Sequence, residues 1–129
     1  MTKLKLAAKI FVIIFAGVAA GAIVAYWWIA GQPRSSLTAG LPSNFHAASA
    51  EFDARIRAHF PVGMPVWKLA KMLETEGFKP TWFVVDGEPN ASRSEGRFVC
   101  NIAARVYWRA AHDGKLEAVR GVYQEEGCL

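Results

Sequence analysis

The chain has 129 residues, which suits one small domain and not two. Its formal net charge is +4, but three of the 15 Lys and Arg are Lys3, Lys5 and Lys9, which leaves 12 against 11 Asp and Glu in the remainder. That remainder is nearly neutral and has no basic run, which argues against nucleic acid as a partner.

Residues 1–9 read as a basic cytoplasmic tail. Ile10 to Ala30, IFVIIFAGVAAGAIVAYWWIA, carries no charge. A helix of that length, about 20 residues, spans a bilayer core, so a single transmembrane helix is expected over 10–30. Tyr26, Trp27 and Trp28 are expected as membrane-interface anchors against the lipid bilayer. Lys3, Lys5 and Lys9 lie before the apolar run and only Arg34 close behind it. The expected topology is a single-pass inner-membrane protein with a cytoplasmic N-terminus and a periplasmic C-terminal domain. A cleaved signal with its exit at Ala20-Gly21-Ala22 is the competing reading. It would leave Ile23–Ile29 exposed at a new N-terminus, which is unfavourable.

Residues 31–43, GQPRSSLTAGLPS, are rich in Gly, Pro and Ser and lack periodicity, so they read as a linker. The domain is expected over 44–129. Ser43 or Asn44 can cap a first helix, in which Phe45, Phe52, Ile56 and Phe60 recur at helical spacing. Glu51–Arg55 and Asp53–Arg57 are acid–base pairs one turn apart. Pro61 ends this helix. Gly63 is expected at positive φ in the turn, and Pro65 opens a second helix with Val66, Leu69, Ala70 and Leu73 on its apolar stripe. Gly77 is a C-cap signal, with Phe78 folding back.

Thr81 to Asp86, TWFVVD, predicts a strand. Gly87 to Gly96, GEPNASRSEG, is polar and reads as a mobile loop. Arg97 to Ala111 alternates, with Phe98, Cys100, Ile102, Ala104, Val106, Trp108 and Ala110 on the face expected to take the helices. Asp113-Gly114 is a hairpin signal, and Leu116 to Gln124 returns as the last strand. With a two-residue turn Trp108 faces Val119, Ala104 faces Tyr123 and Tyr107 faces Arg120. Cys100 then falls one place from Cys128, and a single bulge would set them opposite. A Cys100–Cys128 disulfide is expected. The expected fold class is α+β: one transmembrane helix, then a small ααβββ domain with a three-stranded antiparallel sheet.

Two stretches resemble the small envelope domains of the SmpA/OmlA (BamE)-like outer-membrane assembly lipoproteins. They are FPVGMPVWKLAKMLETEGF, Phe60 to Phe78, and YWRAAHDGKLEAV, Tyr107 to Val119. The β-lactamase-inhibitor proteins use related building blocks. The resemblance implies an ααβββ fold and a protein-binding role. The family's lipid-bearing N-terminal Cys has no counterpart here, since no Cys precedes Cys100.

No catalytic or metal constellation is visible, and no cofactor is expected. His46, His59 and His112 have no metal-ligand spacing. Glu74 and Glu76 point to different sides of a helix, and Ser92 and Ser94 lack a placed base. The candidate partner-binding face is Arg97, Arg105, Tyr107, Arg109 and Arg120, residue types favoured at interface anchors. Its competing reading is an ordinary solvated sheet face. The expected function is a non-catalytic protein-binding or scaffold module with an envelope protein as partner. The alternative is a membrane-tethered inhibitor or immunity-type protein acting on an exported enzyme or toxin; an acidic or aromatic plug loop would favour it, and Gly87–Gly96 is only mildly acidic.

Overall fold

The computed structural model describes the backbone of residues 2–30, 35–85, 87–96 and 99–128, with side chains for 14–28, 35–81, 87–96 and 99–128. Two compact units result, 1–33 and 34–129. The first holds one helix, α1 (Thr2–Ala30). Among the described residues no helix is long and apolar enough to cross a membrane. The expected transmembrane helix, its signal-anchor role, and the single-pass inner-membrane placement with a periplasmic domain are corrected accordingly. Tyr26, Trp27 and Trp28, whose expected role depended on that span, are exposed on α1.

The second unit orders as α2 (Phe45–His59), α3 (Val66–Thr75), β1 (Lys79–Val85), β2 (Glu88–Ser94), β3 (Cys100–Ala110) and β4 (Leu116–Cys128). Asn44 caps α2, its side chain accepting from Ala47 N at 3.1 Å, which satisfies one of the orphan donors of the first turn. Gly63 turns the chain at φ 90°, and Pro65 occupies the cap position of α3 rather than its first helical one. At the other end of α3 Gly77 sits at φ 80°, where a residue with a Cβ is strained. Phe78 N then bonds back to Leu73 O at 2.9 Å, and the Phe78 ring stacks on Phe52 with centroids 6.4 Å apart.

The strands form a single antiparallel meander in the order β1-β2-β3-β4. The sheet therefore has four strands, where three were expected. The extra strand is the polar stretch expected as a mobile loop. Its side chains have little β-propensity, but its backbone pairs with β1 on one side and β3 on the other. Two flanking ladders satisfy its main-chain groups, and this outweighs the weak local preference. Ala91 at its centre is fully buried.

The β3–β4 register pairs Trp108 with Val119, Ala104 with Tyr123 and Tyr107 with Arg120. One extra residue, Glu126, bulges from β4 between the Ile102–Glu125 and Asn101–Gly127 pairs, and this brings Cys100 opposite Cys128. The two cysteines form a disulfide with Cα atoms 4.0 Å apart. A second bulge, at Glu117, follows the Asp113-Gly114 turn.

Helices α2 and α3 cover one face of the sheet. Phe52, Ile56, Phe60, Leu69, Leu73 and Phe78 meet Ala104, Val106, Trp108, Leu116 and Val119 in a continuous core. Fully burying each large side chain contributes about 1.5–3 kcal/mol. The segment Ser35–Gly40, expected within a flexible linker, is folded onto this core instead. Leu37 is buried in it. Ser35 Oγ donates to Glu76 Oε2 at 2.7 Å and Ser36 Oγ to Glu76 Oε1 at 2.9 Å. Arg55 donates to Ala39 O at 2.6 Å. An apolar plug between polar grips makes this a strap.

Candidate functional site

The face of the sheet away from α2 and α3 carries the expected basic and aromatic set. Alternation from the core positions Ala104, Val106 and Trp108 puts Arg105, Tyr107 and Arg109 on it, and the register adds Arg120 beside Tyr107. Arg97 lies outside the described residues. So do the Trp82 side chain and that of Phe98.

The structure brings Tyr107 and Arg120 into contact. The Arg120 guanidinium lies 4.0 Å from the Tyr107 ring centroid, a cation–π distance. Glu88, at the start of β2, accepts from Arg120 Nη2 at 2.8 Å and from Nε at 3.1 Å. Arg120 on β4 and Glu88 on β2 thus reach each other across β3, arching over Tyr107, which is 9 % exposed. Beneath the same row Asn90 is fully buried and hydrogen-bonds with Thr81.

The other two arginines are held by the two bulges of β4. Glu126 takes a two-pronged grip from Arg105, 2.6 Å from Nε and 2.8 Å from Nη2. Those hydrogen bonds hold the Glu126 carboxyl below its ordinary value against an opposing desolvation. They raise Arg105 above its own. Glu117 accepts from Arg109 Nε at 2.8 Å. Bulges re-aim side chains, and both of these aim a carboxylate at an arginine of β3. The basic face read from the sequence is therefore a mosaic of paired charges. Glu88, Glu117 and Glu126 were not singled out in the sequence. Only the bulges and the β2 pairing place them; the cysteine register hinted at one bulge, and no local signal reveals the other bulge or the β2 pairing.

A cleft of about 90 Å³ opens at the margin of this face, lined by Arg57, Glu88, Tyr107, Ala118, Val119 and Arg120. Arg57 comes from α2, where its Nε donates to Asp53 at 2.8 Å.

The remaining sequence candidates do not assemble. His46 and His59 are exposed at opposite ends of α2, and His112 is exposed in the turn between β3 and β4. Among the described residues one group is tight enough for a metal, Cys100, Glu125 and Cys128, and its two sulfurs are bonded to each other. Glu76 holds the strap. Burial acts to raise its carboxyl, but hydrogen bonds from Ser35 and Ser36, aided by the charge of His59, outweigh that and hold it below its ordinary value. The plug loop that an inhibitor would present is taken up in β2.

No protein family, curated protein or solved structure matches the chain. The likeness to the assembly lipoproteins rests on the turn and hairpin motifs alone.

Proposed function

We propose that residues 35–129 are a non-catalytic protein-recognition module whose contact surface is the sheet face bearing Arg105, Tyr107, Arg109 and Arg120. The observation that carries this is the Glu88–Arg120 arch over Tyr107 beside an open cleft, on the face that α2 and α3 leave uncovered. Arginine and tyrosine anchors next to a concavity are the pattern of interface hot spots. Pre-paired guanidinium groups are already ordered, so docking on them costs little conformational entropy. Among the described residues of this face no nucleophile stands beside a base, which favours the recognition reading.

A photo-crosslinking residue at position 109 tests this reading, with one at Lys71 on the exposed side of α3 as control. Partner capture is expected from position 109, absent from 71, and abolished by Arg120→Ala. Equal capture from both positions would reject the sheet face as the contact surface.

A further inference from the structure

Helix α2 runs beside β4 and meets it once per helical turn. Tyr123 N donates to Ser49 Oγ at 3.1 Å, and Gly121 N donates to Asp53 Oδ1 at 2.8 Å. Four residues of helix and two of strand each advance by about 6–7 Å. The next rung therefore sets Arg57 against Val119, and both line the cleft. Alternation along an antiparallel ladder aims the Val119 N–H the same way as those of Gly121 and Tyr123, away from β3. At this third rung the helix offers a donor where the first two offered acceptors. Farther along, Leu116 closes the edge again, with Gly63 N donating to Leu116 O and Leu116 N to Met64 O, both at 2.8 Å. Among the described residues, the edge of β4 is capped at 116, 121 and 123 and has no acceptor at Val119.

The guanidinium groups around that gap also have donors to spare. Arg57 uses its Nε on Asp53, and Arg120 uses Nε and Nη2 on Glu88. Neither terminal nitrogen of Arg57, nor Nη1 of Arg120, donates to any described residue. Asp53 and Glu88 hold the two side chains in place, which lowers the ordering cost a ligand must meet. The residues that carry these backbone and guanidinium donors line one small cleft, and such a donor set suits an acceptor with two oxygens on one carbon.

We propose that the cleft receives a side-chain carboxylate of the partner protein, carried on an extended acidic segment that crosses the β4 edge at Val119. This rests on the protein-recognition reading above and names the chemistry of the partner. The extended form follows from the open strand position, whose N–H and C=O accept one residue of a passing strand. The single charge follows from the surroundings. Glu88 in the wall and Asp53 behind Arg57 oppose a dianion such as a phosphoryl group more than they oppose a carboxylate.

The test uses the full chain, labelled with nitrogen-15, and two capped peptides of alternating threonine with either glutamate or glutamine. The Val119 amide signal should shift and saturate with the glutamate peptide and stay in place with its glutamine twin. Arg57→Gln should weaken the glutamate peptide by at least about tenfold, the size expected for losing a charge-assisted hydrogen bond, and Arg57→Lys should restore part of it. Arg57 is largely exposed, and unchanged thermal melting of both variants checks the fold. A Val119 signal that does not move, that moves equally with both peptides, or that responds undiminished in Arg57→Gln overturns the carboxylate site. If crosslinking from position 109 still captures a partner in that case, the recognition face stands without it. Failure of the capture itself would sink the reading beneath.

Discussion

Gly121 is the tightest point between helix and sheet. A Cβ built there would lie 2.8 Å from Phe52 Cδ1 and 3.0 Å from Ile56 Cγ1. Both neighbours are fully buried, so neither has room to retreat. Gly121→Ala should destabilise the domain by about 1–3 kcal/mol through overpacking, read as a lower denaturation midpoint with an unchanged slope. A neutral effect would mean that α2 sits farther from β4 than described. Nothing in the local sequence marks this glycine, because its reason lies on a helix 65 or more residues away. Other single residues were legible because their reasons are local. Asn44 caps through its own side chain, and Gly77 is followed at once by the Phe78 that folds back. Arg105 and Arg109 were legible as to face but not as to partner: the cysteine spacing pointed to a bulge near the end of β4 but not to the carboxylate it would aim, and nothing local pointed to the one at Glu117.

At the scale of elements, the strap depends on the charge of Glu76. Its carboxyl titrates below the ordinary glutamate range in the folded chain, so its contribution is complete above about pH 4.5 and is lost as the pH falls through the lower folded value. Acid should therefore loosen Ser35–Gly40 ahead of the core, and Glu76→Gln should loosen it at neutral pH. Hydrogen-exchange protection at Leu37 to Ala39 is the readout. Protection that is the same in the variant and unaltered by acid would show that Leu37 alone holds the strap. The disulfide makes a second element-scale prediction. It closes a loop with a sequence separation of 28, for which chain-entropy reasoning gives about 3–4 kcal/mol. Reduction should lower stability by that order and release residues 125–128 first, taking Glu126 off Arg105. Should the helices lose protection before the end of β4, the cystine has a wider role than pinning a strand end. The hairpin was readable from Asp113-Gly114 and the alternation around it. Strand β2 was not, because EPNASRS becomes a strand only when β1 and β3 are both present to pair with it.

For the molecule as a whole, the question is where the second unit begins. The apolar contact of Leu37 and the grips of Glu76 and Arg55 place Ser35–Gly40 inside it. Removing residues 1–34 should leave its thermal melting unchanged. Removing residues 1–40 should cost about 2–5 kcal/mol, the range for deleting a buried leucine, with the lost grips added. Matching melting curves for the two truncations would refute the strap as part of the core. The linker reading failed here for a physical reason: two leucines, Leu37 and Leu41, among Gly, Pro, Ser and Thr are too sparse a signal for periodicity, yet they are enough to pack against a core.

The two bulges of β4 have a further consequence, for changes in chain length. Between the Ala110–Leu116 and Cys100–Cys128 pairs, β4 has two more residues than β3. Those two are slack, taken up as a pucker at each end while the middle of the ladder stays in step. Losing Glu117 would only draw one pucker flat, at the expense of an exposed ion pair worth little. Losing Val122, in the stretch without slack, would turn every side chain on one side of the cut to the opposite face. Single-residue deletion scanning along β4 should therefore find tolerance at 117 and unfolding at 122. Natural variation in the length of this strand would have room to occur at its two ends and nowhere between them.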